Sequence, residues 1–263
     1  MEVIIKASYD EISREAGRMV RKALLKKPNL VLGLATGSTP IGLYNELVCM
    51  HKEEGLDFSQ VVTFNLDEYV GIPASHPESY HTFMERHLFS KVNVPTSNTH
   101  IPQNTTRNLE KFCEWYEQQI REVGGIDLQI LGIGVNGHIG FNEPSSSLGS
   151  RTRIKTLAPS TLKVHTRDFG GDLDTVPKMA ITMGVGTIME AKQCLLLASG
   201  KSKAQAIARC VEGPITAEVP ASALQMHPKA VILIDEEAAS QLKRIDYYKW
   251  GYENKLRLEA DSL

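Results

Sequence analysis

Hydrophobic residues along this chain fall into short, nearly unbroken runs, separated by longer stretches with helical spacing. Runs 30–35, 61–65, 126–133, 194–198 and 230–234 are apolar at almost every position, the pattern of strands covered on both faces rather than one. Residues 3–7 read as a first strand. Ser8 and Glu11 then make an S-x-x-E capping box for a helix reaching Lys26. Helical spacing also covers 40–51, 77–88, 108–123 and 201–211. Strand and helix in alternation predict an α/β fold, a three-layer sandwich in which a mainly parallel central sheet is flanked by helices. No linker, repeat or low-complexity tract interrupts the pattern, so 1–263 reads as a single domain. In such sheets ligands bind beyond the carboxyl ends of the strands, which directs attention to the loops that follow them.

Three of those loops carry candidate chemistry. Thr36-Gly37-Ser38-Thr39-Pro40 offers a glycine for close backbone approach, three hydroxyl donors and a proline suited to a first helical turn. It reads either as an anion site at a helix N-terminus or as a plain β-to-α turn with Ser or Thr as N-cap. The lysine of a nucleoside-triphosphate loop is missing. Asn65-Leu66-Asp67-Glu68-Tyr69 places two acids side by side. If extended geometry persists they point opposite ways, giving one general base in a pocket and one structural partner, or else a solvated acidic turn.

The third loop runs Gly132-Ile133-Gly134-Val135-Asn136-Gly137-His138-Ile139-Gly140-Phe141-Asn142-Glu143-Pro144. Its glycines fit G-x-G-x-x-G, but a dinucleotide site requires a helix next and an acid ~20 residues on. Here Pro144 and the basic Arg151, Arg153 and Lys155 follow instead. What remains is a glycine-rich turn presenting His138 and Glu143, an imidazole and a carboxylate able to move protons near neutral pH. Arg167, Lys201 and Lys203 could complete a phosphate site. Arg151, Arg153 and Lys155 alternate and are expected on one side of an extended segment.

Composition changes the picture by exclusion. With 29 Lys+Arg against 31 Asp+Glu the net charge is −2, which gives nucleic acid or an anionic membrane no electrostatic hold. No apolar run approaches the ~20 residues of a membrane helix, and 1–12 lacks signal-peptide character. A cytoplasmic protein is expected, with its four cysteines reduced and buried. The glycosylation pattern at Asn104-Thr105-Thr106 carries no weight there. The histidines show no metal-ligand spacing, and G-x-S-x-G is absent.

Taken together, Leu-Ala-Thr-Gly-Ser-Thr-Pro (34–40), Val-Thr-Phe-Asn-Leu-Asp-Glu-Tyr (62–69), Gly-His-Ile-Gly-Phe-Asn-Glu-Pro (137–144) and Ser-Arg-Thr-Arg (150–153) resemble, in order, the glucosamine-6-phosphate deaminase (isomerase) family. The resemblance implies a modified Rossmann-like fold without a cofactor, converting D-glucosamine 6-phosphate and water to D-fructose 6-phosphate and ammonia in amino sugar catabolism. It assigns Asp67 as the base between C2 and C1, His138 to ring opening, Glu143 to tuning His138, and Thr36, Gly37, Ser38, Thr39, Arg167 and Lys203 to the phosphate. Asn136 stands where some members carry Asp; it can orient His138 but cannot take its proton. Ser146, Arg153, Lys155 and Thr156, with Tyr247 or Tyr248, match residues that bind the activator N-acetylglucosamine 6-phosphate in oligomeric, commonly hexameric members. Residues 151–184 match a mobile lid. The alternatives are a 6-phosphogluconolactonase and a sugar-phosphate-sensing domain of a transcriptional regulator. The regulator would carry a separate DNA-binding module.

Overall fold

The computed structural model describes residues 1–103, 105–106, 108–166 and 169–260. In chain order its strands are β1 (Glu2–Lys6), β2 (Val31–Leu34), β3 (Val62–Asn65), β4 (Asp67–Tyr69), β5 (Thr99–His100), β6 (Leu128–Leu131), β7 (Arg153–Thr156), β8 (Met179–Thr182), β9 (Cys194–Ala198) and β10 (Ala230–Asp235). Its helices are α1 (Tyr9–Lys26), α2 (Ile41–Glu54), α3 (Tyr80–His87), α4 (Leu109–Glu122), α5 (Pro159–His165), α6 (Val185–Met189), α7 (Ala204–Glu212), α8 (Glu236–Ala239) and α9 (Ile245–Ala260).

Among the described residues seven strands form one sheet in the order β1-β10-β9-β6-β2-β3-β5, and every pairing in it is parallel. Alternate residues feed opposite cores. Leu32, Leu34, Ile130, Leu195, Leu197 and Leu233 pack with α1 and α2 on one face, while Val31, Leu131, Leu196, Ile232 and Ile234 pack with α4 and α7 on the other. That is why these runs are apolar at nearly every position. From β2 the chain winds outward through β3 to β5, then returns across the sheet to β6, so β2 and β6 diverge where their carboxyl ends open a crevice.

A second sheet of three antiparallel strands, β4-β8-β7, stands beyond those carboxyl ends. Its register sets Asp67 opposite Thr182, and Thr182 opposite Arg153. Only the extended segment expected around 151–155 foreshadows it, in β7; β4 and β8 are three and four residues long.

Several boundaries differ from the sequence reading for local reasons. The 77–88 helix starts at Tyr80, because Ser79 is its N-cap and accepts from the Thr82 amide. The 40–51 helix continues to Glu54, where Gly55 closes it at φ 71°. The 201–211 helix opens with a 3₁₀ turn over Lys201–Lys203. In the capping box Ser8 accepts from the Glu11 amide, while the Glu11 carboxylate reaches back to the Ala7 amide. Of the cysteines, Cys113, Cys194 and Cys210 are buried and Cys49 is exposed, all four free; position 49 faces out of α2. Among the described residues no helix is long and apolar enough to cross a membrane. Asn104 lies outside the described residues.

Candidate active site

The loop after β2 is held from below. Tyr9, in the first turn of α1, donates its hydroxyl to the Ser38 and Thr39 carbonyls (3.1 and 3.0 Å) and accepts from the Gly42 amide at 2.7 Å. Gly37 sits at φ 95°, a conformation that favours glycine. The N-cap of α2 is Pro40, without a side-chain cap bond, so neither Ser38 nor Thr39 is spent as the N-cap of a plain turn. Thr36, Gly37, Ser38 and Thr39 line a cavity of about 600 Å³. Lys203 enters the same cavity from beyond β9, its ammonium donating to the Ile133 carbonyl at 2.8 Å, and burial lowers its pKa. Arg167 lies outside the described residues.

Asp67 and Glu68 diverge as adjacent strand residues must. Asp67 faces the cavity, and burial, followed by the neighbouring charge of Glu68, pushes its carboxyl up to about 8. Glu68 turns the other way and is fully buried, accepting from the amides of Tyr69 (2.9 Å), Tyr80 (2.9 Å) and His81 (3.2 Å) and facing the His81 ring at 3.0 Å. It fixes the N-terminus of α3, where negative charge is favourable. The solvated acidic turn is thereby overturned. Tyr80, set in place this way, brings its hydroxyl against Tyr69 and Thr36, close to Asp67.

The glycine-rich loop after β6 contains no helix. It folds on itself through Gly134 N–H to His138 carbonyl and Gly137 N–H to Gly134 carbonyl, each 2.9 Å. A β-carbon on Gly134 would lie 2.2 Å from the His138 ring, so the glycine is what lets the imidazole lie over the backbone. Glu143 gathers three partners. Asn136 donates to Oε2 at 2.7 Å, His138 Nδ1 lies 3.4 Å from the same oxygen, and the Thr161 hydroxyl donates to Oε1. Burial alone would raise the Glu143 pKa, but His138, Thr161 and Asn136 outweigh it and bring it down to about 2. The 3.4 Å approach is an ion-pair distance without hydrogen-bond alignment, leaving His138 Nδ1 otherwise unpartnered. The Asn136 side chain bridges the two: Oδ1 accepts from the His138 backbone amide at 3.3 Å while Nδ2 donates to Glu143, so it holds the His138 backbone and not the ring.

Loops separated by 30 to 70 residues thus converge on one cavity: 36–39, Asp67, His138 and Lys203 all line it. Tyr69, Tyr80, Phe141, His165 and Phe169 form an aromatic wall around Asp67, with Tyr69 hydrogen-bonded to His165. Thr161, His165 and Tyr80 were not singled out from the sequence. Their partners lie up to 96 residues away, and the one local sign is the i,i+4 spacing of Thr161 and His165 on α5.

The remaining basic segment does not form one edge. Arg151 precedes β7 and is held by Glu117 and Glu190 (both 2.5 Å), so its charge is spent inside the chain. Arg153, Lys155 and Thr156 lie on β7. Burial lowers the Arg153 pKa, and the buried Ser146 hydroxyl has no hydrogen-bond partner among the described residues. Tyr247 is exposed on α9, which packs on β1 at the edge of the large sheet, away from the small sheet that holds β7.

Residues 6–233 match the family of glucosamine-6-phosphate isomerases and 6-phosphogluconolactonases. The chain is 51% identical over 240 residues to the glucosamine-6-phosphate deaminase of Thermoanaerobacter pseudethanolicus (strain ATCC 33223 / 39E), covering 91% of this chain and 94% of that one. It is 50% identical over 260 residues to that of Hahella chejuensis (strain KCTC 2396), with 99% of each chain covered. Among solved structures, a monomeric glucosamine-6-phosphate deaminase superposes with a TM-score of 0.89 at 45% identity, covering 92% of this chain and all of that one. The 6-phosphogluconolactonase of Trypanosoma brucei, at 18% identity and a TM-score of 0.75, covers 92% of this chain and 98% of its own and shares the fold.

Proposed function

The chain belongs to the family of glucosamine-6-phosphate isomerases and 6-phosphogluconolactonases, and we propose that it converts D-glucosamine 6-phosphate and water to D-fructose 6-phosphate and ammonia. The observation that carries this reading is the single cavity shared by a phosphate loop with a lysine, a buried carboxyl and a histidine facing a carboxylate. An aldose-to-ketose deamination needs each of these in one place.

The hydroxyls and amides of Thr36 to Thr39 hold the phosphate with Lys203, whose half-buried ammonium gains a counter-charge on binding; Arg167 joins them on the same reading. His138 gives a proton to the ring oxygen as the C1 hydroxyl loses one, which opens the pyranose to the aldehyde. Glu143 keeps the imidazole oriented, its Oε2 facing Nδ1 at 3.4 Å. Asp67 then removes the C2 proton while the C2 ammonium passes one proton to the C1 oxygen, leaving a neutral enolamine with a C1 hydroxyl, and returns its proton to C1. The resulting C2 iminium adds water and expels ammonia, leaving the ketose. Asp67 must be ionised to begin, and the substrate's C2 ammonium favours that ionisation as it enters. A lactonase needs no base moving a proton from C2 to C1, so a cavity built around Asp67 favours the deaminase.

On the same reading Ser146, Arg153, Lys155, Thr156 and Tyr247 take up N-acetylglucosamine 6-phosphate where subunits of a hexamer meet, and β7, α5 and β8 act as a lid over the substrate. The underpartnered Ser146 hydroxyl and the half-buried Arg153 support an anion there. The relative of solved structure is a monomer, which makes assembly state a property to measure.

Glucosamine 6-phosphate supplied to the purified protein is expected to yield ammonia and fructose 6-phosphate one to one, with 6-phosphogluconolactone left intact. Hydrolysis of the lactone without ammonia release would overturn the assignment.

A further inference from the structure

Helix α5 touches both halves of the site through side chains on one face. Thr161 and His165 are one turn apart and therefore neighbours on the helix surface. Thr161 is buried and donates its hydroxyl to Glu143 Oε1. His165, through Nδ1, meets the hydroxyl of Tyr69, two residues along β4 from Asp67. Leu162, next along the helix, packs on the aromatic cluster of Tyr69, Phe141 and Phe169.

Thr161 stands in the first turn of α5 and its hydroxyl crosses to a carboxylate 18 residues away, whereas Thr166, at the helix end, donates to the Leu162 carbonyl at 2.8 Å. The consequence for Glu143 is directional. With Oε1 fixed by Thr161, Oε2 is left toward His138 at 3.4 Å and is also fixed by Asn136 at 2.7 Å. The carboxylate plane is set by donors on two separate elements, the glycine-rich loop and α5.

We infer that Thr161 is a positioning residue for ring opening: from α5 its hydroxyl orients the Glu143 carboxylate against His138. The inference rests on the proposed role of His138 and Glu143 in opening the sugar ring. Glu143 faces the titratable His138 from its own loop, and the neutral Asn136 and Thr161 supply its other bonds. Losing the Thr161 donor therefore both frees the carboxylate to turn and raises its pKa.

The test compares Thr161→Val, which keeps the shape and removes the hydroxyl, with Thr161→Ser, which keeps the hydroxyl, and with Glu143→Gln. Steady-state turnover of glucosamine 6-phosphate is read across pH. Affinity is read separately with the reduced, open-chain amino-alditol phosphate, which has no ring to open. Thr161→Val is expected to lower kcat about tenfold to fiftyfold. Its KM should stay within about twofold, because the open-chain sugar phosphate is held by groups that Thr161 does not touch. Thr161→Ser is expected to restore kcat to within about threefold, and all three variants to bind the open-chain phosphate like the parent. A Thr161→Val enzyme with the parent's kcat overturns the inference. So does an equal loss in the Ser and Val variants, or a fall in open-chain affinity parallel to kcat, since each marks packing rather than positioning. Glu143→Gln retaining the parent's kcat overturns the reading of Glu143 itself, and so is told apart. If Thr161→Val does not fold, Thr161→Ala, checked by its melting curve, carries the same comparison.

Discussion

Asp67 is the residue on which the fold and the chemistry disagree. Its carboxyl is buried beside Glu68, and its pKa is pushed up to about 8. A carboxyl whose pKa rises on folding stabilises the native state while protonated. That contribution is complete below the ~4 of an unfolded aspartate and is lost as pH climbs through about 8. Asp67→Asn keeps the shape and removes the charge. It is expected to melt a few degrees above the parent at pH 9 while losing at least about a thousandfold in turnover; equal melting at pH 9 would count against the buried-charge argument. A carboxyl resonance of Asp67 is expected to titrate near 8 in the free enzyme and lower once an ammonium-bearing sugar phosphate is bound. Gly134 makes a different point. A β-carbon there meets the His138 ring at 2.2 Å, so Gly134→Ala should displace the imidazole and cost about a hundredfold in kcat with little change in melting temperature.

At the scale of elements, what the sequence could reveal depended on how local the cause was. Runs such as 194–198 and 230–234 declare themselves because both faces are buried, and each residue answers to its own position. β4 stayed hidden because Asp67, Glu68 and Tyr69 are held extended by pairing with β8, more than a hundred residues along the chain. The start of α3 at Tyr80 has a local cause in the Ser79 cap, and Glu68, twelve residues back, reinforces it by accepting from the Tyr80 amide. The loops at 36–39, 67 and 138–143 were legible as chemistry because they follow strands. The aromatic wall and Thr161 were not, since only folding brings them there. The approach to β7 shows the same dependence on distant partners. Glu117 on α4 accepts from the Thr152 amide and hydroxyl (2.8 and 2.5 Å) and the Thr187 hydroxyl (2.5 Å), and pairs with Arg151. Burial opposes its charge, but Thr152, Thr187 and Arg151 hold its pKa below the usual carboxylate range. A depressed pKa gives stability above the unfolded value of ~4.3 that is lost on acidification. Glu117→Ala is expected to destabilise by about 3 kcal/mol at pH 7 by orphaning these groups, measured by denaturant unfolding; a loss under about 1 kcal/mol would show the cluster to be incidental.

For the whole molecule, a net charge of −2 conceals an uneven distribution. Lys203 and Arg86 line the cavity at the carboxyl edge of the sheet together with His87, His138 and His165, where a dianionic sugar phosphate gains most from them. The opposite end of the chain, α9, presents Tyr247, Trp250, Leu256 and Leu258 to solvent. Sedimentation velocity is expected to find a six-chain species, and its substrate saturation curve should sharpen or shift with N-acetylglucosamine 6-phosphate. A single-chain species with an unmoved hyperbola would remove the activator role from Ser146, Arg153 and Lys155. The proposed mechanism makes a stricter demand, for in it Asp67 serves both C2 and C1 from one position. The most direct measurement follows the label: glucosamine 6-phosphate carrying deuterium at C2 is turned over in ordinary water, and the fructose 6-phosphate is analysed at C1. Part of the deuterium is expected at C1, with Asp67→Asn giving neither product nor loss of label. Complete washout in the parent, together with exchange at C2 persisting in Asp67→Asn, would contradict the assignment of Asp67 as the base that carries this proton.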